Sequence, residues 1–247
     1  MLSKIEKNKF TLISGATSDI GYSIANRLKD NNNLIISGRS YSQLKGLASK
    51  LNSQNEVRLW EYDLSDLDGI NGSLGVLLKE NLISINNFIH VAGITKILPI
   101  RMFGIESYTN IFNVNFFSAV EIIKFLMLKN NRKNLNNIVL ISALFSKYGD
   151  KGNAIYASSK GAIDSFVKSL AVEIAPIKVN SILPGAINTK MTSDLFESED
   201  YKKYFQSKYL LGMGSVQNIS NYVNYLIQED TWITGQNIII DGGASCH

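Results

Sequence analysis

The chain of 247 residues contains a single cysteine, Cys246, next to its last residue. One cysteine excludes an internal disulfide, and this favours a reducing compartment such as the cytoplasm. Cys246 and His247 would supply too few ligands for a metal site, so no metal is expected. No run of about 20 apolar residues occurs, which argues against a membrane span. The first nine residues lack the apolar segment of a secretory signal, in agreement with a cytoplasmic location.

Charge is only weakly unbalanced, with 25 Lys and Arg against 21 Asp and Glu, a net charge of +4. The basic residues are scattered, and the densest short cluster, at 129–133, falls between a helix pattern and a strand pattern. A solvated turn is the ordinary explanation for such a cluster. A nucleic-acid partner is therefore not expected, whereas acidic substrates would be weakly attracted.

Strand-like apolar runs alternate with helix-like patterns along the whole chain, with no linker, repeat or low-complexity tract. The runs at 34–36 and 138–141 are continuously apolar, as in strands that are covered on both faces. This alternation predicts one α/β domain over 1–247, a Rossmann-type doubly wound parallel sheet of about seven strands with helices on both faces. Predicted strands lie near 10–14, 33–37, 56–62, 86–91, 137–142, 178–183 and 237–241. Predicted helices lie near 19–30, 40–52, 66–80, 105–130, 155–174 and 215–228.

A glycine-containing turn, Gly-Ala-Thr-Ser-Asp-Ile-Gly at 15–21, joins the first predicted strand to the first predicted helix. In this arrangement, backbone N–H groups and a helix N-terminus can face a pyrophosphate. Gly15 would permit the tight turn, and Gly21 would let the backbone approach a cofactor closely. The spacing departs from G-x-G-x-x-G, and an ordinary strand–helix loop is the alternative.

Tyr156 and Lys160 are four residues apart in a predicted helix and would share one of its faces. A free Tyr, with a pKa of roughly 10, is a poor acid near neutral pH. A neighbouring cation favours the phenolate and lowers the pKa, which would make Tyr156 a useful proton donor. A chance pairing on the helix face is the alternative when the motif is taken alone.

Taken together and in order, the motifs resemble the short-chain dehydrogenase/reductases, and within them the 3-oxoacyl-carrier-protein reductases. The resemblance runs from about Phe10 to Gly243. In the cofactor loop, Asp19 stands where the family has its middle glycine. The further matching elements are His90-Val91-Ala92-Gly93 for the family's N-N-A-G, Asn115 for its helix Asn, Pro184-Gly185-Ala186-Ile187-Asn188-Thr189, and the closing run 233–243.

The resemblance implies a role for each site residue. Tyr156 would exchange the proton on the substrate oxygen, Lys160 would lower the Tyr156 pKa and hold the nicotinamide ribose, and Asn115 would hold a water linking Lys160 to solvent. The implied cofactor-binding residues are Gly15, Thr17, Ser18, Asp19, Ile20, Gly21, Arg39, Asp63, Leu64, Ala92, Gly93, Tyr156, Lys160, Pro184, Gly185, Ile187 and Thr189.

One departure concerns the family's catalytic serine, which usually lies thirteen positions before the tyrosine. That position is Ala143 here, and Ser142 is its neighbour. In a strand, Ser142 would point to the opposite face from residue 143, although a one-residue bulge could turn it inward. Ser142 is thus a candidate catalytic hydroxyl, and an ordinary strand-end residue is the alternative for Ser142 and for Ser146.

The end of the second predicted strand indicates the cofactor. NAD-binding folds place an acidic residue there for the ribose hydroxyls, whereas this chain has Gly38 followed by Arg39. An Arg can grip a 2′-phosphate with charge-assisted hydrogen bonds, so NADP(H) is expected. A solvated Arg is the alternative. Asp63 resembles the family residue that contacts the adenine amino group, and capping the next helix is its alternative role.

The sequence therefore predicts an NADP(H)-dependent carbonyl reductase or alcohol dehydrogenase with a substrate lid near 189–214. A carrier-bound 3-oxoacyl thioester, a sugar-derived ketone and a small ketone all stay open as substrates. The alternative function is a catalytically weak or silent nucleotide-binding protein with a regulatory or assembly role. Apolar residues on more than one face of 105–130 and 155–174 predict a homodimer or homotetramer.

Overall fold

A computed structural model describes residues 8–81, 83–193, 197, 199–228 and 230–246, without the side chains of residues 201, 202 and 204–206. Its centre is a parallel seven-stranded sheet in the order β3-β2-β1-β4-β5-β6-β7. The strands are β1 (Lys9–Ser14), β2 (Asn33–Gly38), β3 (Val57–Glu61), β4 (Ser84–His90), β5 (Asn137–Ile141), β6 (Lys178–Pro184) and β7 (Asn237–Ile240). The helices are α1 (Asp19–Leu28), α2 (Tyr41–Leu51), α3 (Ile70–Asn81), α4 (Ile105–Phe112), α5 (Ser118–Leu126), α6 (Lys129–Arg132), α7 (Ala154–Glu173), α8 (Glu199–Lys208) and α9 (Val216–Gln228).

The strand order reverses at β1, which pairs with β2 on one side and with β4 on the other. At such a switch point the connections leave toward opposite faces of the sheet and open a crevice beyond the carboxyl ends of the strands. The turn after β1 and the segment after β4 both begin at this crevice. The fold therefore brings the two predicted motifs toward the same edge of the sheet.

Two hydrophobic cores, one on each face, account for the continuously apolar strands. Leu12 and Leu140 belong to the core beneath α3, α5 and α7. Their neighbours Ile13 and Ile141 belong to the core beneath α1, α2 and α9. Alternate side chains enter opposite cores, so both faces of a central strand are apolar. The predicted doubly wound α/β class is confirmed.

The predicted helix over 105–130 is interrupted rather than continuous. Between α4 and α5, the five residues Asn113–Phe117 form a π-helical turn with Asn115 at its centre. Such insertions are often found at functional sites. The predicted helix near 66–80 also begins late, at Ile70, because side chains of Asp63 and Asp66 bind main-chain N–H groups in turns before it.

The predicted lid is described only in part. Residues 187–192 form a turn in which Thr192 Oγ donates to Ile187 O at 2.6 Å, and a helix follows at Glu199–Lys208. Of the apolar residues expected in the lid, Met191 is exposed and Tyr209 is buried. Leu195 and Phe196 lie outside the described residues, and the side chains of Tyr201, Tyr204 and Phe205 are not described. Among the described residues, no helix is long and apolar enough to cross a membrane.

Candidate active site

The turn after β1 contains two glycines, and close contacts within the protein leave no room for a side chain at either position. Gly15 has a φ of +66°, and a Cβ there would lie 2.6 Å from the Ala92 main chain. A Cβ on Gly21 would lie 2.3 Å from Gly15 O. The turn therefore packs tightly against the segment after β4, and any side chain would push the two apart.

Ser18 caps the helix that follows this turn. Its Oγ accepts a hydrogen bond from Gly21 N at 3.1 Å and donates to Gly15 O at 2.8 Å. The N–H groups of Asp19 and Ile20, in the first turn of α1, are of the kind that has no acceptor within a helix. They lie at the positive end of the helix dipole, where a pyrophosphate fits.

Asp19 links the cofactor turn to the segment after β6. Its Oδ2 accepts a hydrogen bond from Lys190 N at 2.7 Å, across 171 residues of sequence. The predicted cofactor residue Thr189 is thereby held beside the N-terminus of α1. The sequence predicts Asp19 in the cofactor loop but gives no sign of this second contact.

Tyr209 fixes the Pro-Gly element at the end of β6. Its ring would meet a Cβ on Gly185 at 2.8 Å, and its hydroxyl oxygen accepts from Ala186 N at 2.7 Å. Ile187 is buried and bridges to Gly214. The predicted cofactor residues Gly185 and Ile187 thus lie between the sheet and the final part of the predicted lid.

At the far end of the crevice, Arg39 follows β2 with its side chain exposed. Gly38 packs on Thr17, since an added Cβ would lie 3.0 Å from its Cγ2. The charge of Arg39 helps to lower the pKa of Asp63, although the larger effect comes from the hydrogen bond donated by Ser65 N. Three predicted cofactor residues, Thr17, Arg39 and Asp63, therefore lie at one end of the site.

Tyr156 and Lys160 share one face of α7, and Lys160 Nζ lies 6.0 Å from the centre of the Tyr156 ring. Lys160 is buried and donates from Nζ to Ile141 O at 2.8 Å. A Cβ on Gly93 would lie 3.2 Å from the same Nζ, so the glycine leaves room for the ammonium. The structure thus joins Tyr156, Lys160 and Gly93, which come from two distant parts of the sequence.

The pKa of Tyr156 differs from the value that the sequence led us to expect. Burial raises the pKa of Tyr156 to about 12, so the structure does not show the predicted lowering by Lys160. Burial also lowers the pKa of Lys160 to about 8, while the charge of Asp164 acts in the opposite direction. Because the Lys160 ammonium is directed to the Ile141 carbonyl and not to the phenol, burial has the larger effect on the pKa of the Tyr156 hydroxyl.

Asn115 is fully buried, and its side chain joins α7 to the segment after β4. Its Oδ1 accepts from Ile94 N at 2.8 Å, while Nδ2 donates to Ile94 O at 3.0 Å and to Ser159 Oγ at 2.9 Å. Two of these contacts are to Ile94, next to Gly93, and the third is to α7. The Asn115 amide therefore holds the Gly93 segment in place relative to α7. The predicted role in holding a water stays a prediction.

The structure does not direct Ser142 toward a substrate. The residue is buried, and its Oγ donates to the main-chain oxygen of Lys160 at 3.0 Å. The neighbouring Ser146 is also engaged, since its Oγ donates to Asp164 Oδ2 at 2.5 Å. The Ser142 hydroxyl thus has a main-chain partner in place of the predicted substrate oxygen and ties β5 to α7, and Ala143 offers only a methyl group.

The sequence marks His90 only as a changed position in a motif, yet the structure places it at the end of β4, fully buried. Its Nδ1 is 2.8 Å from Ser14 Oγ, which joins the ends of β1 and β4. Burial and then the charge of Lys160 lower its pKa to about 3, so the ring is neutral. The replacement of the family's usual Asn was the only sequence signal for it.

Comparison with known proteins agrees with this geometry. A family model described as Enoyl-(Acyl carrier protein) reductase matches residues 15–245. The chain is 30% identical to the 3-oxoacyl-[acyl-carrier-protein] reductase FabG of Buchnera aphidicola subsp. Baizongia pistaciae, over 95% of this chain and 96% of that protein. The FabG of Escherichia coli K12 is 28% identical over 96% and 97%. The chain therefore belongs to the short-chain dehydrogenase/reductase family of oxidoreductases.

Solved structures share the fold over nearly the whole chain. A 4-hydroxyisoleucine dehydrogenase mutant complexed with NADH and succinate is 26% identical with a TM-score of 0.87, covering 96% of this chain and 99% of that one. ElxO with NADP bound has a TM-score of 0.86 at 23% identity, covering 97% and 100%, and shows the fold alone.

Proposed function

We propose that the chain is an NADP(H)-dependent oxidoreductase that reduces the keto group of a 3-oxoacyl thioester, or oxidises the corresponding alcohol. The observation that carries the proposal is the meeting of Tyr156 and Lys160 with Gly93 beside the cofactor turn. A nicotinamide cofactor would supply or take the hydride at this site. The N-terminus of α1, Arg39 and the Gly93 segment would hold its pyrophosphate, 2′-phosphate and nicotinamide ends.

The pKa directions suit proton donation. A Tyr156 pKa of about 12 keeps the phenol protonated at neutral pH, so it can donate to an oxygen that becomes an alkoxide. A Lys160 pKa of about 8 leaves the ammonium largely protonated at pH 7. That charge would stabilise the phenolate as the proton leaves, and Lys160 need only turn from the Ile141 carbonyl to approach it.

Exposed apolar side chains in two segments near the site suit an acyl substrate. Ile97, in the segment after β4, is 47% exposed and would touch a Cβ on Gly152, just before α7. Leu210 and Leu211, 63% and 86% exposed, follow Tyr209 beside the Pro-Gly element. A fatty acyl chain would cover such side chains, whereas a sugar would need hydrogen-bonding partners. The curated relatives are named as reductases of carrier-bound 3-oxoacyl groups, which fits this choice.

Ala143 favours a second candidate function, a nucleotide-binding protein with little or no catalysis. A methyl group at this position removes one expected donor to the substrate oxygen, and Ser142 does not replace it. The set of the half-buried Tyr156 with the buried Lys160 and Asn115 supports catalysis instead, because binding alone has no chemical need for all three. The cytoplasmic location and the carrier-bound form of the substrate stay predictions.

The test is NADPH oxidation, followed at 340 nm with an acetoacetyl thioester and a panel of ketones. Tyr156→Phe removes the proton donor and should lower turnover by roughly 10²–10⁴-fold, while NADPH affinity stays within a few-fold. Tyr225→Phe, on the exposed surface of α9, is the matched control and should match wild type. Wild-type protein that binds NADPH but reduces no carbonyl would instead support the non-catalytic function.

A further inference from the structure

A buried carboxylate on α7 plays no part in the steps above. Asp164 lies one turn beyond Lys160, and its side chain is only 5% exposed. Its Oδ2 accepts from Ser146 Oγ at 2.5 Å and lies 3.1 Å from Lys147 Nζ. Both partners belong to the segment 143–147, which leaves the carboxyl end of β5 at the crevice.

The opposite side of Asp164 is held by two strands. Ser181, on β6, has a single hydroxyl proton, and its Oγ lies 2.8 Å from Asn237 Oδ1 and 3.4 Å from Asp164 Oδ1, so the shorter contact is the stronger hydrogen bond. Asn237, on β7, donates from Nδ2 to the main-chain oxygen of Asp164 at 3.2 Å. The close partners of the buried carboxylate are thus Ser146 and Lys147, while Asn237 holds the main chain of the same residue.

The segment after β5 is thereby attached to α7 at both ends. Near its start, Ser142 Oγ donates to Lys160 O, and Lys160 Nζ donates to Ile141 O. Near its end, Ser146 bonds to Asp164, one helical turn further along. Ala143, at the position where the family places a catalytic hydroxyl, lies between the two attachments.

We propose that Asp164 is a positioning residue that anchors the segment 143–147 on α7 and sets the charge beside Lys160. The anchor fixes the distance between Ala143 and Tyr156, and hence the width available to a substrate carbonyl. Because the site lacks the serine hydroxyl, the placement of the segment 143–147 would orient the substrate in place of the hydrogen bond from that hydroxyl. This inference rests on the proposed reductase function.

The charged and titratable groups around the pair are few in the described part of the chain. Lys160 faces Tyr156 and Asp164 on its own helix, and His90 from the end of β4. Asp164 faces Lys147 from the segment after β5. Because the charge of Asp164 raises the pKa of Lys160, removing that charge should lower this pKa further. The protonated ammonium would then be lost at a lower pH.

Two variants separate the anchor from the charge. Ser146→Ala removes the anchor and leaves the carboxylate, while Asp164→Asn removes the charge and retains acceptor and donor atoms. Glu173→Gln, an exposed acid-to-amide change on the same helix, is the control. The measurements are the pH profile of kcat/KM and hydrogen exchange of residues 143–148, where Ser146 N and Lys147 N bond to Ala143 O and Leu144 O.

Ser146→Ala should speed exchange in 143–148 and lower kcat/KM by roughly tenfold to a hundredfold, with the pH profile unmoved and recovery in Ser146→Thr. Asp164→Asn should move the alkaline limb of kcat/KM to lower pH, and Glu173→Gln should not. Unchanged exchange in Ser146→Ala, or an alkaline limb in Asp164→Asn equal to that of Glu173→Gln, would overturn the inference. Hydrogen exchange can be measured on an enzyme that does not turn over. An inactive wild type would therefore contradict the proposed function, while hydrogen exchange in Ser146→Ala would still test the anchor.

Discussion

At the scale of single residues, each side chain of the site has a different main function. Tyr156 is a protonated phenol, and Lys160 is a buried cation that donates to a strand end. Asn115 holds two segments together, and Ser142 ties a strand to a helix. Only Tyr156 therefore offers a hydroxyl suited to proton transfer, and the neighbouring residues serve its position and charge.

The prediction that the cofactor is NADP(H) can be tested at Arg39. Its exposed guanidinium has no ion-pair partner among the described residues, so it is available to a 2′-phosphate. We expect NADPH to bind more tightly than NADH, and Arg39→Ala to narrow this difference by about 1.5–3 kcal/mol, the range for a charge-assisted hydrogen bond. Titration of both cofactors by protein fluorescence measures this. Equal affinity of the wild type for the two would contradict the prediction, and Arg101→Ala is the control.

Ala143 tests whether a missing donor limits the rate. Restoring a hydroxyl with Ala143→Ser should raise kcat on a generic ketone, because one preorganised donor is worth roughly 10²–10³ in rate. Ser142→Ala removes a hydroxyl that the structure commits to Lys160 O, and should affect stability more than kcat. If Ala143→Ser is without effect and Ser142→Ala abolishes turnover, Ser142 is the catalytic hydroxyl after all.

At the scale of elements, the site depends on where strands end and where one helix is irregular. The π-helical turn Asn113–Phe117 places Asn115 between the segment after β4 and α7. The ends of β1 and β4 are joined beneath it by Ser14 and His90. The irregular helix and the buried imidazole thus lie near the point where the cofactor turn packs against Ala92.

His90 makes this junction sensitive to acid. Its pKa is about 3 in the folded protein against 6.5 ordinarily, so below about pH 6.5 the unfolded chain binds a proton that the folded protein does not. Stability should therefore fall with decreasing pH, by roughly 1.4 kcal/mol per pH unit from this residue alone. Urea unfolding at pH 7 and pH 5 should show a smaller loss for His90→Asn than for wild type. His247→Asn is the matched control, and equal losses in His90→Asn and wild type would exclude the effect.

At the scale of the whole molecule, the exposed apolar surface bears on assembly. The predicted oligomer rests on apolar residues in 105–130 and 155–174, and three of these, Ile111, Val167 and Leu170, are buried, the last two in the core beneath α3, α5 and α7, and cannot contact a second copy. Four aromatic residues, Phe112, Phe116, Phe117 and Phe166, form a cluster with ring centres 5.3 to 6.3 Å apart. We call them the aromatic patch. Phe117 in this patch is 43% exposed.

The aromatic patch is where we expect a second copy to dock. Light scattering at micromolar concentration should show a homodimer or homotetramer, and Phe117→Glu should shift it toward smaller species, because a charge would be buried at the contact. Val76→Glu, at an apolar position on α3 that is 56% exposed, is the control. A wild-type monomer under these conditions would refute the prediction.

The sequence by itself determined the architecture and the principal chemical groups. Continuously apolar runs specify strands covered on both faces, and alternation with helices specifies the parallel sheet. The glycine turn and the Tyr156–Lys160 pair could be found because their spacing is local, within one turn or one helix. Even the departure at Ala143 was visible, since it needs only a position counted from Tyr156.

Only the tertiary structure decided how those groups are used. The direction of the Ser142 hydroxyl depends on Lys160 O, and the burial that raises the pKa of Tyr156 comes from elements far away in sequence. The same holds for Asp164, whose partners come from the segment after β5 and from two further strands. Hydrogen-bond partners and burial depend on contacts between distant parts of the chain, and no local pattern in a single sequence encodes them.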